Sequence, residues 1–301
     1  MFENDPIGGL VHLYVDGAFK RRELFDRVAK YTGSMAAAIA TLSSYEEVQA
    51  QTTPTVPPGV RVAPDDPAID ARDVTFPGPA SSLYGYLAMP KSMKDNQPGV
   101  IVVHENRGLT DYIKDVTRRV AKAGFVGVSV DLLSRQGGIQ AFPDATQQTA
   151  AYNRTTQYER RSDLISTLDY LKGTPGVVFQ RIGMVGFCAG GGNVWDFAVN
   201  IPELVAAAAF YGTPVPAMAD LDSINAAMLA LYAERDRTLT QNMLPVASAM
   251  VAKQKTIAVS VYEGAGHAFH NDTGAAYEPV AAQDGWARTM AHFNKFLRRP
   301  V

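Results

Sequence analysis

The chain has a single cysteine, Cys188, so neither an intrachain disulfide nor a four-cysteine zinc site can be built from it. Its five histidines leave little material for a histidine-rich metal centre. Charge of neither sign dominates. There are 28 lysines and arginines against 30 aspartates and glutamates, a net of −2, which argues against a nucleic-acid binder working through a basic field. Long apolar runs are missing too. The longest uncharged stretch near the N-terminus, Tyr31 to Tyr45, is short and rich in Ala, Ser and Thr, whereas a bilayer span needs roughly 20 apolar residues. What is present is a globular composition, 47% hydrophobic and 19% charged over 301 residues. That suffices for one large domain with an appendage, or for two ordinary domains.

Three regions follow from the pattern: a helical extension over 1–50, a proline-rich linker over 51–70 and a main domain over 71–301. The linker carries Pro54, Pro57, Pro58, Pro64 and Pro67, which resist helix and sheet alike. Before it, Leu24, Val28, Tyr31, Met35, Ala38 and Leu42 recur every three or four residues. That spacing predicts a helix with one apolar face, docked on the main domain or on a second copy of the chain. A rival reading is a twin-arginine export signal. Arg21-Arg22 would head it, Tyr31–Leu42 would form its middle and Val48-Gln49-Ala50 its cleavage site. Against it, the arginines lie some way in, and Asp26, Arg27 and Lys30 interrupt the segment. The structural helix, in a cytoplasmic protein, is therefore the expectation.

In the main domain, short apolar runs alternate with helical stretches. Strands are expected at Leu83–Met89, Val100–His104, Phe125–Val130, Ile182–Phe187, Val205–Tyr211, Met228–Tyr232 and Thr256–Tyr262. Helices are expected over Asp111–Ala123, Asp144–Lys172, Gly191–Asn200, Thr240–Lys253 and Pro279–Leu297. This order implies an α/β fold with a mostly parallel, doubly wound sheet and helices on both faces. Reactive groups in such sheets gather beyond the carboxyl ends of the strands.

One strand end stands out. Ile182–Phe187 runs into Gly186-Phe187-Cys188-Ala189-Gly190-Gly191 and then a helix. This is a glycine-x-nucleophile-x-glycine elbow with cysteine in the serine position. A sharp turn lifts the side chain above the sheet, and the glycines two residues away on either side avoid collision with it. The following helix points free N–H groups at Cys188, which favours a thiolate. The alternative is a buried structural cysteine beside a tight turn. Two later strand ends supply the partners in the order acid then histidine: Glu234-Arg235-Asp236, and Glu263-Gly264-Ala265-Gly266-His267. Glu234 competes with Asp236, which is preferred. His104, His270 and His292 compete less well with His267, and a metal centre on His267 and His270 lacks a third convincing ligand.

These residues resemble the dienelactone hydrolase family of the α/β-hydrolase superfamily over about 72–298. The resemblance rests on Val103-His104-Glu105-Asn106-Arg107-Gly108, Asp131-Leu132-Leu133-Ser134-Arg135-Gln136, Gly186–Gly191, Phe210-Tyr211-Gly212, Glu234–Asp236 and Gly266-His267-Ala268-Phe269. It implies a Cys188–His267–Asp236 triad that cleaves a carboxylic ester or lactone through a thioester. It implies that Glu105 hydrogen-bonds the resting thiol, with pairing to Arg107 as the alternative. The backbone N–H groups of Ala189 and Asn106 would form the oxyanion hole. Arg135 matches the family arginine that holds a substrate carboxylate, although a loop arginine alone more often faces solvent. A second family arginine is expected shortly after the histidine, where this chain has His270-Asn271-Asp272. Tyr211 either lines the pocket or serves as a core aromatic. No metal or organic cofactor is implied, and the expected partner is a small ester or lactone, with no nucleic acid and no membrane. The rivals are broad small-ester hydrolysis or acyl transfer on the same fold, and a non-catalytic binding module.

Overall fold

The computed structural model describes Ile7, Leu10 and residues 21–42, 61–93 and 96–298. The chain divides into two compact units, Met1–Thr55 and Val56–Val301. Residues 43–60, which include the proposed cleavage site and most of the linker prolines, lie outside the described residues.

In the first unit the single expected helix is two. Helix α1 (Arg21–Thr32) stops at Gly33, whose φ is +82°, and a second helical run covers 35–42. Glycine takes this left-handed conformation without a Cβ penalty. Ser34 then starts the next turn, its Oγ accepting from the Ala37 N–H at 3.1 Å. The break changes which side chains are covered. Leu24, Val28, Ala38 and Leu42 form a small buried cluster with Ile7 and Leu10. Tyr31 and Met35, expected on the same face, are 65% and 44% exposed.

The second unit is built on an eight-stranded sheet. Its elements are β1 (Ile69–Pro77), β2 (Ser82–Pro90), β3 (Gln97–Val103), α2 (Asp111–Lys122), β4 (Val126–Val130), α3 (Ala145–Arg154), α4 (Gln157–Lys172), β5 (Val177–Phe187), α5 (Ala189–Asn200), β6 (Ala206–Phe210), β7 (Ala227–Ala233), α6 (Arg237–Ala252), β8 (Ile257–Tyr262) and α7 (Pro279–Leu297). The strand order is β1-β2-β4-β3-β5-β6-β7-β8. β1 and β2 pair antiparallel, as do β2 and β4, and every other neighbour pair is parallel. The carboxyl ends of β3, β5, β7 and β8 therefore share one edge of the sheet.

Both faces of the sheet are buried, which explains the unbroken apolar runs. In β3, Ile101 and Val103 face the layer that holds Leu164, Leu168, Trp195 and Met243, from α4, α5 and α6. Val100 and Val102 face the layer of Ile113, Val116, Val120 and Phe293, from α2 and α7. The helical region expected over Asp144–Lys172 is split at Thr155-Thr156. A capping box starts α4: Thr156 Oγ1 accepts from the Glu159 N–H, and the Glu159 carboxylate accepts from the Thr156 N–H at 2.7 Å. Strand β1 begins at Ile69, inside the segment read as linker. Its mixed charged sequence marks it as an exposed edge strand.

Among the described residues no helix is long and apolar enough to cross a membrane. Three described histidines, His104, His270 and His292, have pKa values lowered chiefly by burial. Each is neutral in the fold and regains its ordinary value of about 6.5 on unfolding. Unfolding therefore takes up protons below that pH, and stability falls as pH drops from about 6.5. His292 donates from Nε2 to the Ala227 carbonyl at 2.9 Å, a bond a glutamine amide can reproduce. His292→Gln should flatten the decline of melting temperature between pH 7 and pH 5, measured by calorimetry. An unchanged slope would show that His292 titrates alike in both states.

Candidate active site

Cys188 sits between β5 and α5 with φ 54° and ψ −120°, a conformation costly for a side-chain-bearing residue. The turn is held on all sides. Its N–H donates to the Phe210 carbonyl at 3.0 Å, and its carbonyl accepts from the Gly192 N–H at 3.1 Å. The flanking glycines are required by space. A Cβ on Gly186 would lie 2.3 Å from the Gly190 carbonyl oxygen, and one on Gly190 would lie 2.4 Å from the His104 carbonyl oxygen. The thiol is half-buried, at the N-terminus of α5.

The loops after β7 and β8 bring Asp236 and His267 together, with His267 Nδ1 donating to Asp236 Oδ2 at 2.5 Å. Because the carboxylate accepts, the proton resides on Nδ1 and Nε2 is left for the Cys188 side. Burial disfavours the imidazolium. The negative charge of Cys188 and the bond to Asp236 outweigh that cost and raise the His267 pKa well above its ordinary value. Glu234, the competitor of Asp236, instead accepts from the Gly264 N–H at 2.8 Å.

Glu105 and Asn106 follow β3, and both are half-buried. The loop is held by His104, which accepts from the Leu132 N–H at 2.9 Å through Nε2 and contacts the Glu105 carbonyl through Nδ1. Glu105 Oε2 accepts from Asn271 Nδ2 at 2.9 Å. Ala189 is the first residue of α5. Tyr211 is fully buried at φ 40°. Its ring centroid lies 4.9 Å from that of His267. Burial, then the charges of Tyr112, Glu105 and Cys188, push its pKa well above the ordinary phenol value. Tyr211 thus packs in the buried core beside His267.

Arg135 has an ion-pair partner on α4. Its Nε and Nη2 each reach one oxygen of the buried Asp163 carboxylate at 2.9 Å. That pairing engages the Nε–Nη2 edge of the guanidinium and ties Arg135 to α4. His270 is buried and bonded to the Tyr112 hydroxyl at 2.7 Å through Nδ1.

Two features escaped sequence reasoning. Tyr152 Oη accepts from Asn193 Nδ2 at 2.9 Å, and Asn193 Oδ1 accepts from Arg160 Nε at 3.2 Å, so α3, α4 and α5 are tied together beside the elbow. Asp272 is buried against Arg119 Nη2 at 2.6 Å and Arg61 Nε at 3.2 Å. Arg119 also pairs with Asp115. This network pins the turn after His267. The Asn271-Asp272 pair was visible in the sequence only as a place where an expected arginine is missing.

The model of the "Dienelactone hydrolase family" matches residues 83–297. A protein of Methylorubrum extorquens named "Putative carboxymethylenebutenolidase" is 32% identical over 270 residues, covering 83% of this chain and 87% of its own. A protein of the same name from Escherichia coli K12 is 31% identical over 247 residues, covering 77% of this chain and 89% of its own. Among solved structures, a "Putative Dienelactone Hydrolase" from Klebsiella pneumoniae superposes with a TM-score of 0.70 at 29% identity, over 76% of this chain and 99% of its own. A dienelactone hydrolase-like promiscuous phosphotriesterase from metagenomic libraries gives 0.67 at 25% identity, over 76% and 99%. The elbow, its strand order and these likenesses agree: the chain belongs to the dienelactone hydrolase family and is a carboxylic ester hydrolase of the α/β-hydrolase superfamily.

Proposed function

We propose that this protein cleaves small carboxylic esters or lactones by nucleophilic catalysis at Cys188. The observation that carries the reading is the meeting of the strained Cys188 turn with a His267 ring that bonds Asp236 and whose pKa is raised by the Cys188 charge. A thiolate is a strong nucleophile, and an adjacent imidazolium maintains it at neutral pH.

In the first half-reaction Cys188 Sγ bonds to the substrate carbonyl carbon, and the carbonyl π electrons move to oxygen. The oxyanion takes hydrogen bonds from the backbone N–H groups of Ala189 and Asn106. As the carbonyl reforms, the C–O ester bond breaks, and the leaving alkoxide takes the proton held on His267 Nε2. A thioester remains. Water then attacks the same carbon while His267 takes one of its protons, and the C–S bond breaks to return the thiolate. Asp236 keeps the imidazole in one orientation through both halves. Glu105 holds the resting thiol.

The pairing of Arg135 with Asp163 bears on the substrate reading. With one edge paired to Asp163, Arg135 supports the loop after β4, and its charge is partly offset there. The substrate class the site favours is an ester or lactone recognised at its carbonyl.

Two outcomes check this. Cys188→Ala should lose nearly all aryl-ester hydrolysis while melting like the parent. Iodoacetamide should label Cys188, and His267→Ala should slow that labelling. Wild-type turnover in Cys188→Ala would remove the thiol from the mechanism. Arg135→Ala should strand the Asp163 carboxylate in the interior, costing up to about 3 kcal/mol of stability. It should lower kcat/KM for anionic lactones and neutral aryl esters alike. A loss confined to the anionic substrate would restore Arg135 as a carboxylate anchor.

A further inference from the structure

The loop after β8 carries a second group that reaches across the site. Asn271 lies just beyond His267 and donates from Nδ2 to Glu105 Oε2 at 2.9 Å, joining two loops whose strands are not neighbours in the sheet. The amide's orientation is not arbitrary. Asn271 Oδ1 accepts from the Thr273 backbone N–H at 3.0 Å and from Thr273 Oγ1 at 2.6 Å. A backbone N–H can only donate, so it requires the oxygen on its side and turns the NH₂ toward the carboxylate. The turn itself cannot drift, because Asp272 is clamped by Arg119 and Arg61.

We propose that Asn271 is a positioning residue for Glu105, holding its carboxylate beside Cys188 by a neutral hydrogen bond. The inference rests on the reading of Cys188 as nucleophile and Glu105 as its resting partner. The donor's neutrality matters. A guanidinium at this position would add a full opposite charge and stabilise the carboxylate anion strongly, weakening it as a proton acceptor. One amide N–H fixes the direction of the carboxylate while costing less of its basicity. The same loop thus carries the imidazole and orients the carboxylate.

Asn271→Asp separates this from a merely structural role. Aspartate has nearly the same shape and keeps both acceptor bonds to Thr273, but it replaces the donor facing Glu105 with a like charge. At pH 7.5, aryl-ester kcat and the iodoacetamide labelling rate of Cys188 should each fall roughly 10-fold or more, with KM and melting temperature nearly unchanged. In a Glu105→Gln background the glutamine amide can donate to the new aspartate, so the Asn271→Asp penalty in labelling rate should shrink to less than about 3-fold. Equal penalties in both backgrounds, or no penalty in the single variant, would overturn the proposal. Should the aspartate variant fail to fold, Asn271→Ala in the same two backgrounds reads the same coupling. A parent protein without Cys188-dependent turnover would instead overturn the function on which the proposal rests.

Discussion

The backbone at Cys188 is the constraint on which the site depends. A non-glycine residue at φ 54° is unfavourable by itself and persists only where its surroundings enforce it. Here β5 delivers the chain to the turn, α5 carries it away, and Gly186 and Gly190 let neighbouring backbone approach where any Cβ would collide. The Phe210 carbonyl on the adjacent strand holds the Cys188 N–H. The strain raises the thiol above the sheet edge and places it at the positive end of a helix.

Around that point the parallel sheet acts as a jig. β3, β5, β7 and β8 point the same way, so the loops bearing Glu105, Cys188, Asp236 and His267 emerge on one side. Charge completes the arrangement. His267 is buried, which alone would leave it neutral, but the Asp236 carboxylate on one side and Cys188 on the other favour its protonation. At His104 burial outweighs the nearby Asp131 carboxylate, and at His270 burial and the Arg119 charge act together, so both pKa values are lowered. The four described histidines are thus sorted by environment: the pKa of His267 is raised, and those of His104, His270 and His292 are lowered.

Much of this was legible in the sequence, for identifiable reasons. The elbow is local: a strand, two glycines at fixed offsets and a helix start are all written within a few residues of Cys188. The acid and histidine could be assigned because parallel strands repeat the same strand-end geometry. Alternating apolar runs gave most strands to within a residue or two, and Pro279 marked the start of the last helix. What escaped were contacts between distant segments. Nothing near Arg135 announces that Asp163, on α4, pairs with it. Nothing near Asn271 shows that it faces Glu105, because that depends on sheet order and on a clamp of Arg61 and Arg119. The break at Gly33-Ser34 had a local signal, a left-handed glycine before a capping serine. Apolar spacing that continued through it concealed it.

The central claim is a covalent intermediate on the one cysteine. Rapid mixing of the protein with a slowly hydrolysed aryl ester, followed by acid quench and intact-mass spectrometry, tests it directly. The account predicts a transient mass increase equal to the acyl group, mapped by digestion to the peptide containing Cys188 and absent from Cys188→Ala. Steady-state hydrolysis with no acyl adduct at any time, or an adduct on another residue, would contradict it.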